Sequence, residues 1–258
     1  MLKDAVVIVT GAGSGIGEAT AEAFARAGAH IVVSGRRAEL LESVAERARA
    51  HGVQALVKPL DVSDQEAAER CVQETLAHFC RLDVVAHVAG MNTPQRTIGN
   101  ISDDNWRRVI DVNLSGVFYF VRAALPTFRA AKRGSFVIVG SDSGLRAGEM
   151  AGVAYCASKF GVTSLVQSIN IEERRHGIRA SVIQAGEVET PIMSFRPAPP
   201  PPESRKLMLR SEDVANAIIY VASQPPGVNL EEIIIRPTLD RNDPNSYAVY
   251  DAWQASAT

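Results

Sequence analysis

The chain alternates short runs of β-branched residues with amphipathic helical patterns. Ala5-Val6-Val7-Ile8-Val9 is apolar at every position, which predicts a strand covered on both faces, as in a parallel sheet flanked by helices. After a cluster of glycines, Ile16, Ala19, Ala23, Phe24 and Ala27 recur at the spacing of one helical face, and Gly28 is placed to end that helix. The pattern repeats as strand Ile31–Val33, helix 38–51, strand Ala55–Lys58, helix 64–79 and strand Leu82–His87. Further strands are predicted at Ser135–Val139, Ala180–Ile183 and Glu232–Ile235, with helical patterns over 102–131, 153–175 and 211–223. Strands joined by helical crossovers in this way read as an α/β protein: one Rossmann-like, doubly wound parallel sheet of about seven strands, flanked by helices. No repeat or linker divides residues 1–258, so a single domain is expected. Phe195–Pro202, rich in proline, reads as an extended, polyproline-like loop.

Composition narrows the function classes. The 258 residues carry 27 basic and 29 acidic side chains, a formal net charge of −2, with 46% hydrophobic residues. That balance argues against disorder and against a nucleic-acid partner, which calls for a basic face. Cys71, Cys80 and Cys156 are odd in number and show no CxxC spacing. Neither a disulfide framework nor a Cys-rich zinc site is expected, and a reducing, cytoplasmic setting fits. The N-terminal apolar run is too short for a signal peptide, and no other apolar stretch reaches the ~18 residues of a membrane span, so no membrane partner is expected.

Candidate chemistry begins at Thr10-Gly11-Ala12-Gly13-Ser14-Gly15-Ile16-Gly17, between the first strand and the first helix. Glycines let a backbone turn sharply and approach a pyrophosphate, and the helix N-terminus offers N–H donors and a positive dipole end. The spacing is TGxxxGxG with Gly13 extra, not the GxGxxG of the common dinucleotide fingerprint. NAD binders place an acid about 20 residues further on, at the end of the second strand. Here Arg36 and Arg37 stand there, and guanidinium forks suit a 2′-phosphate, so NADP(H) is preferred, with NAD(H) the other option. Asp61-Val62 follows the third strand; Asp61 either reaches an adenine or caps the next helix.

Tyr155 and Lys159 sit four residues apart, on one face of a predicted helix. A cation within ~4–6 Å can lower a phenol by roughly 1–3 pKa units and make it a proton donor or acceptor near neutral pH. Thr10–Gly17, Asn113, Ser141, Tyr155 and Lys159 together, in order and spacing over essentially the whole chain, resemble the short-chain dehydrogenase/reductase family. The resemblance implies a carbonyl–alcohol oxidoreductase in which Tyr155 moves a proton to or from the substrate oxygen. Ser141, favoured over Ser143, would bind that oxygen. Lys159 would bind the nicotinamide ribose and lower the Tyr155 pKa, and Asn113 would hold a relay water. It further implies that Gly11, Gly13, Ser14, Gly15, Ile16, Gly17, Arg36, Arg37, Asp61, Val62, Ala89, Gly90, Gly186, Val188 and Thr190 border the cofactor, and that the protein forms a homo-oligomer, a tetramer or dimer.

Two departures from the family pattern stand out. His87-Val88-Ala89-Gly90 replaces Asn-Asn-Ala-Gly, and Ala185-Gly186 replaces Pro-Gly. At the end of a buried strand, His87 reads as a hydrogen-bonded structural side chain rather than an acid, base or metal ligand, and no metal site is expected. A lid over about 190–210, with Met193, Phe195 and Arg196, would cover a small carbonyl or alcohol substrate. Ser141, Arg146, Met150, Tyr155 and Met193 would line its pocket, with Glu149, Met91 and Asn92 near the mouth. Two rival classes are a redox-silent NADP(H) sensor on the same fold, which would not need Tyr155 or Lys159, and a methyltransferase, which would not need the Ser141–Tyr155–Lys159 set.

Overall fold

In the computed structural model, which describes residues 2–256, the chain runs β1 (Val6–Thr10), α1 (Gly15–Arg26), β2 (His30–Gly35), α2 (Ala38–Arg49), β3 (Ala55–Pro59), α3 (Gln65–Phe79) and β4 (Val84–His87). It continues through α4 (Asp103–Ile110), a π-helical turn (Asp111–Ser115), α5 (Gly116–Ala131), β5 (Gly134–Val139), α6 (Val153–Glu173) and β6 (Ile178–Ala185). The last elements are α7 (Pro202–Arg205), α8 (Ser211–Ala222), β7 (Glu232–Ile235) and α9 (Pro244–Ser256). The strands form one sheet in the order β3-β2-β1-β4-β5-β6-β7, every pair parallel. The order reverses between β1 and β4, which opens a crevice at their C-terminal ends.

Each face of the sheet has its own core, which explains the unbroken apolar strands. In β1, Val7 and Val9 pack with Phe24, Leu41 and Ile218 on one side, while Val6 and Ile8 pack with Phe120, Phe136 and Val162 on the other, as the two-residue side-chain period requires. The first helix buries Thr20, Ala21 and Ala25 as well as Ala23 and Phe24. Of the predicted stripe only Ala23 and Phe24 are buried; Ile16 and Ala19 are half-buried and Ala27, at the C-cap, is exposed, because α1 packs against α2 and α8 as well as the sheet. Gly28, at φ +84°, follows its C-cap as expected.

The long helical pattern before β5 is a continuous run, Asp103–Ala131, long and apolar enough by composition alone to span a membrane. This corrects the expectation that no such stretch exists. Val117, Phe120, Val121, Ala124 and Phe128 of that run are buried against the sheet, so it is used here as a core helix. The proline-rich stretch also divides more finely than the sequence implied. Residues 191–195 form a 3₁₀ turn, the backbone is extended at Arg196 and Pro201, and Pro202 starts α7, where its missing N–H costs nothing. Helix α9 falls in what sequence patterning treats as a tail.

His87 ends β4 opposite Thr10. It is buried, packs edge-on against Phe120 at 5.7 Å, and neither ring nitrogen has a partner among the described residues. The expectation of a structural histidine stands in part, but the hydrogen bonds expected with it are not formed among the described residues. Burial, aided by the Lys159 charge, holds its pKa down to about 3. The unfolded chain therefore takes up a proton near pH 6.5 that the folded one refuses, and stability falls as pH drops from there toward about 3. The expected slope is up to about 1.4 kcal/mol per pH unit. His87→Leu should flatten it between pH 6.5 and 5 in chemical denaturation series; an unchanged slope would remove His87 as its source.

Candidate active site

The turn after β1 is built tightly against the loop after β4. Thr10 Oγ1 accepts from the N–H groups of Val88 and Ala89, both at 3.1 Å. A Cβ on Gly11, whose φ is +67°, would lie 2.8 Å from Ala89 Cα, and one on Gly17 would lie 2.2 Å from the Gly11 carbonyl oxygen. Only glycine fits at either place. Gly13 is different: a Cβ there would meet only ordinary contacts at 3.5 Å and beyond, in keeping with its being the extra glycine. Ser14 precedes α1 without capping it through its side chain. The first-turn N–H groups of Gly15, Ile16 and Gly17 thus remain as donors at the positive end of the helix. A Cβ on Gly15 would sit 3.2 Å from Thr190 Cγ2, which brings the strap after β6 to the same turn.

Arg37 donates to Ser14 Oγ at 3.1 Å. Asp61 accepts from the Ser63 amide at 3.0 Å and hydroxyl at 2.7 Å. Burial raises its pKa, but these two bonds, with the charges of Arg36 and Arg108, bring it net below the usual value. The helix cap left open for Asp61 belongs to Asp64, which accepts from the Ala67 amide at 3.0 Å. Val62 packs on Gly116 at the start of α5. A cradle of close-packed glycines, a helix N-terminus with free donors and two arginines at the end of β2 fit the phosphates of a dinucleotide.

Asn113 lies in the π-helical turn and is buried. Its amide accepts from the Met91 N–H at 2.8 Å and donates to the Met91 carbonyl at 3.0 Å and to Ser158 Oγ at 3.2 Å. The side chain thus fixes the loop after β4, with Gly90 beside Asn113 and Lys159. The wider π turn is a common device for re-aiming a side chain at a functional site.

Lys159, buried on α6, donates to the Val139 carbonyl at 2.8 Å, and its Nζ lies 5.5 Å from the centre of the Tyr155 ring. Burial pushes its pKa down to about 8. The Tyr155 hydroxyl is hydrogen-bonded to Ser141. Burial raises the Tyr155 pKa above its ordinary value; the Ser141 bond, then Arg196 and Arg96, pull the other way without reversing it, and Cys156 adds to the rise. This corrects the expectation that Lys159 lowers the phenol. Its ammonium is tied to a backbone carbonyl beneath the ring, and the cations that act on the hydroxyl are arginines.

Ser141 is set by Gln184, a buried side chain of β6. Gln184 Oε1 accepts from the Ser141 N–H at 3.0 Å, while its amide donates to Thr163 Oγ1 at 2.9 Å and Glu232 Oε1 at 2.8 Å. Ser143 donates its N–H to Ser141 Oγ at 3.1 Å, so the hydroxyl that meets Tyr155 belongs to Ser141.

These groups open into a cavity of about 580 Å³. Ser141, Arg146, Met150, Tyr155 and Met193, the expected pocket residues, line it together with Asn92, Arg196 and Gly186, the last expected at the cofactor. Glu149 and Met91 do not line it, and Phe195 is exposed: Met91 offers its backbone to Asn113, and Phe195 closes a 3₁₀ turn with its ring outward. Sequence reasoning missed Arg96, Asp142, Glu187, Ile192 and Arg236. Arg96 carried no signal. It is buried, and its guanidinium donates to the carbonyls of Thr93 at 2.7 Å, Met150 at 3.1 Å and Phe195, tying three loops around the cavity. The segment after β6 is clasped at its base, where Leu209 donates to the Glu187 carbonyl at 2.9 Å and Glu189 to the Leu209 carbonyl at 2.8 Å.

Comparison with known proteins agrees with this geometry. The short chain dehydrogenase model matches residues 5–199. The chain belongs to that family. An uncharacterized oxidoreductase of Staphylococcus aureus is 35% identical over 237 residues, 92% of this chain and 99% of that protein. The glycine betaine reductase of Emericella nidulans is 34% identical over 241 residues, 92% of this chain, but the chain spans only 19% of that protein's length. Among solved structures, an alcohol dehydrogenase from the archaeon Thermococcus sibiricus, complexed with 5-hydroxy-NADP, superposes with a TM-score of 0.82 at 29% identity, covering 91% of this chain and 97% of that one. Within this short-chain dehydrogenase, Arg96→Met should destabilise the fold by at least about 1.5 kcal/mol, since bonds from a charged donor are worth that much or more. It should also speed proteolytic cleavage within 191–206. Cleavage at the wild-type rate would show that Arg96 does not hold that segment.

Proposed function

We propose that the chain is an NADP(H)-dependent carbonyl reductase and alcohol dehydrogenase with Tyr155 as its acid and base. The observation that carries this reading is the Tyr155 hydroxyl on the cavity wall, hydrogen-bonded to Ser141 and with the Lys159 ammonium against its ring. NADPH, when bound, supplies a hydride from its nicotinamide. Gly11, Gly15, Ile16 and Gly17 hold the pyrophosphate, Arg36 and Arg37 the 2′-phosphate. Asp61 and Val62 lie at the adenine end, with Ala89, Gly90, Gly186, Val188 and Thr190 along the nicotinamide end and Lys159 toward its ribose.

The chain's own residues then manage a proton. Ser141 donates a hydrogen bond to the substrate carbonyl oxygen, fixing it beside Tyr155. A phenol raised by burial stays protonated at neutral pH, which suits it to give its proton to the developing alkoxide. Arg196 and Arg96, the cations that act on the hydroxyl, stabilise the phenolate left behind. Asn113 holds the Gly90–Met91 backbone so that this face of the pocket does not shift. In the oxidative direction, Tyr155 takes the proton back.

Tyr155→Phe should lower turnover about 100-fold to 10,000-fold, the usual range for lost acid catalysis, with NADPH affinity unchanged by fluorescence titration. Retention of most of the rate would overturn the assignment, and tight NADPH binding by wild type without turnover of any carbonyl would favour a sensor. The reductive kcat/KM should fall as pH passes about 8, where Lys159 gives up its charge. Replacing Arg36 and Arg37 together with alanine should weaken NADPH binding about 10-fold to 100-fold, as expected for charge-assisted phosphate contacts, and leave NADH binding untouched. Equal losses for both cofactors would contradict the phosphate assignment.

A further inference from the structure

The charged lining of the cavity is unbalanced. Among the described residues it consists of four arginines, Arg96, Arg146, Arg196 and Arg236, against two carboxylates, Asp142 and Glu187, in a chain whose net charge is −2. The carboxylates are already taken. Arg236 Nε reaches both oxygens of Asp142, at 3.1 and 2.9 Å. Glu187 is held by Arg196 at 2.7 Å and by Arg241 at 2.6 and 3.1 Å, two cations on one anion. Arg96 bonds only backbone carbonyls. Arg146, exposed, makes no side-chain hydrogen bond or ion pair among the described residues, although it lines the same cavity as Ser141 and Tyr155.

We propose that this cavity selects substrates bearing a carboxylate, anchored by Arg146 with the field of Arg196 and Arg96 behind it. A guanidinium presents a planar fork that matches a carboxylate, and a recessed cleft of one charge sign concentrates ligands of the other. The excess charge does not serve the cofactor phosphates, because no residue of the glycine turn lines this cavity. Met150, Ile192 and Met193 supply apolar wall for a short carbon chain between carbonyl and carboxylate. The inference rests on the reductase reading. In the reaction, the ketone carbon gains a hydride from NADPH and the oxygen a proton from Tyr155. The products are a hydroxy acid and NADP⁺, and the carboxylate is unchanged.

The test compares pyruvate, acetoacetate and levulinate with their methyl esters in NADPH oxidation. At least one acid should exceed its ester by about 10-fold or more in kcat/KM, the scale of one charge-assisted bond. Arg146→Gln should bring the acid-to-ester ratio to about 1, acting through KM, whereas Arg107→Gln, an exposed change on α4, should preserve it. Esters reduced as well as acids, or equal losses for acid and ester in Arg146→Gln, would overturn the carboxylate site while leaving the reductase intact. If neither acids nor esters turn over, titration calorimetry of the same acids into protein saturated with NADP⁺ separates the two ideas. Binding abolished by Arg146→Gln keeps the carboxylate site and removes the reductase; no binding by any acid removes the site as well.

Discussion

The site depends on one close approach: the backbone after β1 against the backbone after β4. Thr10 Oγ1 ties down Val88 and Ala89, and Gly11 leaves room for Ala89 where any Cβ would collide. The two strands diverge in connection at this point, β1 toward β2 and β4 toward β5, so their loops can part to make a crevice only if their bases are held together. Everything chemical is arranged around that joint: the free donors of α1 on one side, Asn113 bracing Gly90 and Met91 on the other, and Lys159 beneath. The segment that carries His87 and Val88 in place of two asparagines is secured from outside by Thr10 and Asn113.

A second constraint is electrostatic. Apart from Arg146, the arginines of the cavity have backbone carbonyls or carboxylates as partners. Arg96 holds three loops, and Arg196 and Arg241 converge on Glu187, whose pKa they depress although burial alone would raise it. One set of cations therefore braces the walls and sets the field at the Tyr155 hydroxyl. Lys159 lies below the ring, its ammonium bonded to the Val139 carbonyl.

Much of this was legible in the sequence. Strand β7 falls where its β-branched run lies, α3 spans its predicted range with Asp64 as cap, and Gly28 stops α1. The spacing of Tyr155 and Lys159 puts both on one face of α6, because helical periodicity is local and rigid. Helix α9 was not legible, since its weak amphipathic pattern carries little signal. Nor was the burial pattern of α1, which answers to two neighbouring helices as well as the sheet.

Residue order and local stereochemistry by themselves determined the parallel α/β sheet, the glycine turn and the shared helical face of Tyr155 and Lys159. Each depends on repeats of two or about four residues, or on torsions that only glycine tolerates. Tertiary structure alone decided which charges meet. Asp142 with Arg236, Glu187 with Arg196 and Arg241, and Arg96 with Thr93, Met150 and Phe195 bring together positions up to 99 residues apart. Burial, likewise a property of the folded whole, decided that His87 stays neutral and unpartnered and that Tyr155 keeps its proton. Such effects follow from the dielectric and the neighbours that packing supplies, which no local pattern encodes.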